Sequence, residues 1–152
     1  MNTMNEKTGR DGDTVKLLRE CDAGVKMGIQ SFDDVIDKVR DNTFKQLLSD
    51  CKYKHEKISA EVDRMLDRHS DEGKKPNPIA RGMSYIKTNA MLLAEPTDAT
   101  IADLMTDGCN MGVKSLSRYL NQYKSADEES KDIGERLVNL ELQLTNDIRG
   151  YL

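Results

Sequence analysis

Residues 21–32 read Cys21-Asp-Ala-Gly24-Val-Lys-Met27-Gly28-Ile29-Gln-Ser31-Phe32, and 84 residues further on the chain reads Met105-Thr-Asp-Gly108-Cys109-Asn-Met111-Gly112-Val113-Lys-Ser115-Leu116. Gly, Met, Gly and Ser coincide in the two stretches. The apolar rows then stay in step, Val35 with Tyr119, Ile36 with Leu120 and Val39 with Tyr123. A self-similarity of this kind marks a repeated structural unit. Each copy is followed by a short break and a second apolar stripe, so the unit reads as a helical hairpin. Two such hairpins close into a four-helix bundle with pseudo-twofold symmetry.

Working outward, Leu18, Val25, Phe32 and Val39 recur every seven residues, as do Cys21, Gly28 and Val35, and Val15, Asp22, Ile29 and Ile36. That spacing predicts one amphipathic helix of about seven turns. Asp13 or Thr14 is placed to cap it, leaving residues 1–13 as a disordered arm before a single domain over 14–152. Asp41-Asn42-Thr43 breaks the chain and caps a second helix to about Arg68, with Phe44, Cys51, Ile58 and Met65 on one buried row and Leu48, His55 and Val62 on the next. All three prolines fall between Pro76 and Pro96, so nothing breaks the long helices by ring clash. Ile79 to Ala94 reads as a short crossover helix. Thr97-Asp98 opens a third helix carrying Ala102, Met105, Cys109, Gly112, Leu116, Tyr119 and Tyr123. A fourth starts near Glu128 with the stripe Ile133, Leu137, Leu140, Leu144 and Ile148. No strand pattern competes. The expected fold is all-α, a four-helix bundle of ferritin-like, single-crossover order in which helices one and three run antiparallel.

Composition narrows the function classes. Of 152 residues, 37% are hydrophobic and 33% charged, with a net charge of −4. This acidic balance offers no general attraction for nucleic acid or anionic lipid, and no apolar run approaches the roughly 18 residues of a membrane span. Residues 1–13 carry no apolar segment of a secretory signal. Three cysteines, an odd number, read as thiols in a reducing compartment, so a cytoplasmic location is expected.

The glycines carry the repeat's physical message. A glycine inside a helix costs about 1 kcal/mol relative to alanine, and Gly24, Gly28, Gly108 and Gly112 all lie mid-helix. They are read as helix-packing glycines that let the two repeat helices approach closely, the alternative being room for a bound ion or ligand. These residues resemble a bacterial ferritin-like family of unknown function in which helices one and three each bear a Cys-x-x-Gly-Glu motif. The resemblance covers about residues 14–152: Cys21-Asp-Ala-Gly24 matches the first motif in Cys and Gly, Gly108 matches the second, and Pro78-Ile-Ala-Arg-Gly82 with the apolar run to Leu93 looks like the family's crossover. The family's acidic positions fall here on Val25 and Cys109, and the second motif's Cys is Met105.

A di-iron site needs about four inward carboxylates and two Glu-x-x-His pairs. The chain has two histidines and no Glu-x-x-His, so di-iron is not expected. A softer set is conceivable. Cys51 and His55 stand four apart on one helix face, and parallel helices two and three bring Cys109 level with them, a donor set suited to Zn or Cu with no inward carboxylate beside it. Packing is the bland reading of the same residues. Tyr119 and Tyr123 lie in core rows where each hydroxyl needs a partner, with His55 and Glu141 as candidates. The expected protein is a non-enzymatic, self-associating bundle, its partner a second copy of the chain, with no cofactor. Soft-metal binding by Cys51, His55 and Cys109 is the alternative.

Overall fold

The computed structural model describes residues 2–69 and 96–152, with side chains from residue 12 onward. Its helices are α1 (Asn2–Val35), which tightens into a 3-10 turn at Ile36–Lys38, α2 (Asn42–Arg68), α3 (Asp98–Gln122) and α4 (Glu128–Ile148), which ends in a 3-10 turn at Arg149–Tyr151. No strand occurs among the described residues. The chain is an all-α four-helix bundle. The crossover helix expected over 79–94 lies outside the described residues.

Three helix starts fall where side-chain acceptors meet orphan backbone N–H groups. Asp41 accepts from the Phe44 amide at 2.8 Å, Thr97 from Thr100 at 3.2 Å, and Asp127 from Ser130 at 2.8 Å. The start of α1 differs from the sequence reading. The helix already runs from Asn2, so Asp13 and Thr14 sit inside it and cap nothing there.

Their side chains instead tie the two hairpins together. Asp13 Oδ2 accepts from the Ser125 amide at 3.1 Å, and Thr14 Oγ1 from Asp127 at 2.8 Å. At the opposite end Asp98 accepts from the amides of Arg40 and Asp41, each at 2.8 Å. Each inter-helix break thus hangs from a side chain of the other hairpin. Residues 13–14 of α1 therefore lie beside the end of α3, and the end of α1 beside the start of α3, so these helices are antiparallel. Phe44 stacks on Tyr151 at 4.5 Å and Arg68 bonds Glu129 at 3.0 Å, which makes α2 and α4 antiparallel as well. α2 and α3 start at the same end. The chain consequently returns the bundle's length, about 40 Å for a helix of this size, between Arg68 and Asp98.

The rows Phe44-Cys51-Ile58-Met65 and Leu48-His55-Val62 are buried, as are Leu18, Val25, Phe32, Val35 and Val39 of α1 and Ile133, Leu137, Leu144 and Ile148 of α4. The apolar core is not continuous. One cluster gathers Phe32, Val35, Phe44, Leu48, Ile101, Met105 and Ile148, and the other Leu17, Leu18, Val25, Val62, Leu66, Leu116 and Leu137. Between them, at mid-height, the four helices contribute Gly28, His55, Gly112 and Glu141.

Candidate functional site

This waist is built from one glycine on each of α1 and α3 and one polar side chain on each helix that follows. A Cβ placed on Gly28 would stand 3.2 Å from His55 Cδ2, and one on Gly112 3.6 Å from Glu141 Cγ. At Gly28 the imidazole stands closer than an ordinary Cβ contact and takes the space a side chain would need, whereas at Gly112 the Glu141 carboxylate would touch a Cβ only in ordinary contact. Gly24 is different, since a Cβ there meets only Leu116 Cδ2, at 3.9 Å. None of the atoms near Gly24 or Gly28 belongs to the α3 backbone, so these two positions do not seat one repeat helix directly on the other. The close backbone approach expected from the sequence gives way to side-chain insertion at Gly28 and Gly112 and open space beside Gly24.

The difference predicts opposite signs for similar substitutions. Gly24→Ala should raise stability by about 0.5–1 kcal/mol, the usual gain of replacing a helical glycine. Gly28→Ala should lower it, because the His55 ring is held at both nitrogens and cannot retreat from the new methyl. Urea midpoints of the two variants check this, and a gain at Gly28 would contradict the packing described.

His55 is 1% exposed. Its Nδ1 lies 2.8 Å from the Cys51 carbonyl oxygen, which only accepts, so Nδ1 carries a hydrogen and donates it. Its Nε2 lies 2.6 Å from Glu141 Oε1 and donates to that carboxylate. With both nitrogens donating, the ring is an imidazolium paired with a carboxylate that is itself only 15% exposed. Burial works against charge on the ring, but the hydrogen bonds to Cys51 and Glu141 outweigh it and hold the imidazole at about 10, up from 6.5. The edge of the Phe32 ring meets the imidazole at 5.1 Å between centroids, and Cys51 Sγ lies 3.7 Å from Nδ1. The Cys109 thiol rests against Glu141 from α3. Burial first, and then the Glu141 charge, push that thiol far above its usual range.

The raised imidazole value makes stability pH-dependent with a definite sign. The contribution of the pair is complete below the unfolded-state value near 6.5 and is lost as pH rises through about 10. Between about pH 7 and pH 10 the unfolding free energy should fall by about 2 kcal/mol, a figure discounted from the full shift. The fall should vanish in a His55→Met/Glu141→Met variant, and an equal decline in both proteins would refute the assignment.

Of the residues singled out from sequence, Cys51 and His55 do meet, and Cys109 joins them from across Glu141. They do not form a coordination sphere as they stand. Both His55 nitrogens are committed as donors, so neither offers a lone pair to Zn or Cu. No group of three or more His, Cys, Asp or Glu among the described residues has an arrangement able to hold a metal ion. A di-iron centre fits less well still, since the waist supplies one carboxylate and one imidazole that satisfy each other. Two inward carboxylates, one half-buried and one buried, contradict the expectation of no inward acid. One is Glu141. The other is Asp22, 2% exposed and paired with Lys26 at 2.6 Å. The proposed tyrosine partners are engaged with one another, His55 to Glu141, while Tyr119 and Tyr123 stack at 6.3 Å.

Above the waist a groove of about 350 Å3 opens between α1 and α3. Gly24, Gly28, Gly108 and Gly112 run along its walls, Phe32, Met105 and Leu116 add apolar surface, and Glu20 and Glu141 are the charged residues on its lining. Met27 and Met111, equivalent in the repeat, stand at the rim 39% and 52% exposed. Fold and site together define a helical bundle with an apolar groove above a buried ion pair. No family model, curated protein or solved structure matches the chain. No described helix is long and apolar enough to cross a membrane.

Proposed function

We propose that the protein is a non-catalytic binding bundle of ferritin-like order, which holds a small, largely apolar molecule in the groove between α1 and α3. The observation that carries this is the groove itself, about 350 Å3 of space lined by four helix-interior glycines, with open room beside Gly24. Ligand pockets start near 300 Å3, and a dry apolar cavity of about 150 Å3 already holds a benzene ring. Only alanine at Gly24 would be needed to begin closing it, at a gain in helix stability, so the retained space is a cost without a structural return. Oxidase chemistry finds no support at the waist, where the carboxylate and imidazole neutralise each other. Burial pushes the Cys21 thiol to about 12 and raises the Cys109 thiol as well, so neither of these two is poised as a nucleophile.

Isothermal titration with toluene tests the reading. One molecule per chain should bind, and Gly24→Met, which fills the groove from its wall, should abolish the heat while leaving the helical circular dichroism intact. Absence of binding to the wild-type chain, or equal binding to the filled variant, would sink it.

A further inference from the structure

The groove has a shape and a charge pattern that narrow its ligand, given that it binds one at all, which is the reading proposed above. Its two walls are antiparallel helices, each bearing a Gly-x3-Gly pair, with the glycines of a pair about 6 Å apart along the axis. Beyond Gly28, against which the His55 ring packs, the walls carry no side chain at the glycine positions. They face one another as a slot, and Met27, Met111 and Met105 line it beside Phe32. A slot of flat backbone and polarizable sulfur suits a planar ring, since thioether sulfur makes favourable contacts at aromatic edges.

The floor adds one polar requirement. Glu141 Oε1 is taken by His55 at 2.6 Å. Its Oε2 lies 3.7 Å from the position a Cβ on Gly112 would occupy, at the wall of the groove. A carboxylate has about four lone-pair positions, so accepting from His55 leaves capacity for a further donor. Because the imidazolium already neutralises the carboxylate, a cationic ligand would bring an uncompensated charge into an apolar slot. An anion would meet Glu141 directly, with Glu20 on the lining as well. A neutral donor is what remains matched.

We infer that the groove binds a neutral, planar aromatic molecule carrying one hydroxyl on the ring, the ring lying between the glycine faces of α1 and α3 and the O–H donating to Glu141 Oε2. Glu141 is then the residue that selects the ligand, and Gly112 the residue that leaves its second oxygen reachable.

The experiment is calorimetric titration of the full chain with p-cresol, toluene and 4-methylcyclohexanol, repeated on Glu141→Gln and Gly112→Ala. In the wild-type chain p-cresol should bind at least tenfold more tightly than toluene, which lacks the donor, and than 4-methylcyclohexanol, which lacks the flat ring. Gly112→Ala, whose methyl would cover Oε2 in ordinary contact, should bring the p-cresol to toluene ratio close to one, as should Glu141→Gln. If Glu141→Gln fails to fold by circular dichroism, Gly112→Ala alone decides. Toluene binding as tightly as p-cresol in the wild type, or a ratio that survives Gly112→Ala, overturns this inference and leaves the binding reading standing. Failure of every compound to bind overturns both.

Discussion

Replacing His55 by alanine is expected to lower the unfolding free energy by about 3–5 kcal/mol, the range for removing one partner of a buried ion pair. The loss follows from what the substitution leaves behind. Glu141, 15% exposed, would lose its hydrogen-bond partner in an apolar setting, and the space of the imidazole would become a cavity beside Gly28. Changing both residues together should behave differently. Replacing a buried pair by apolar side chains of similar volume is often neutral or stabilising, so His55→Leu/Glu141→Met should recover most or all of the loss. Urea unfolding of the two variants reads the contrast. A single variant within about 0.5 kcal/mol of wild type, the range of an ordinary surface change, would mean that the pair is not buried and charged as described.

The second large effect concerns the thiols. All three cysteines are free and buried, and burial pushes Cys21 from 9.0 to about 12, with the neighbouring Glu20 and Asp22 adding to it. The reacting species is the thiolate, and a shift of that size reduces its population about a thousandfold near pH 8. Maleimide labelling of Cys21 and Cys109 in the folded chain should therefore run about a thousandfold slower than in the urea-unfolded chain, followed site by site by mass spectrometry. Labelling of either residue at the unfolded rate would show that its thiol is not buried as described.

Much of the architecture was legible because it rests on periodicity. Heptad rows such as Leu48-His55-Val62 report which face of a helix meets the core whatever the residues do there, and Asp41, Thr97 and Asp127 signal helix starts through chemistry local to the backbone. Two features escaped for equally physical reasons. Asp13 and Thr14 look like caps, but a side chain that accepts a hydrogen bond does not reveal in sequence whether the donor is three residues away or, as at Ser125 and Asp127, in another helix. Glu141 escaped because α4 offers two apolar readings of the step from Leu137 to Leu144. Stepping through Leu140 keeps the stripe hydrophobic, whereas the buried seam steps through Glu141 and leaves Leu140 half-buried. Only its partner, 86 positions earlier in the chain, explains a carboxylate there. The glycines were visible as an anomaly, and their cause became visible only with the two side chains that fill the space beside them.

The waist also sets which alignments of the two hairpins are tolerable. His55 belongs to the first hairpin and Glu141 to the second, and each has apolar layers above and below it. Sliding one hairpin by a turn would still oppose leucine to leucine in both clusters, so hydrophobic contact alone discriminates weakly between neighbouring registers. It would, however, strand an imidazolium and a carboxylate in separate apolar layers and press each against a turn that has no glycine to receive it. Buried polar groups are best attested in this role of fixing register. In this bundle the ion pair and its two glycines act as a latch that only one alignment of the hairpins can close.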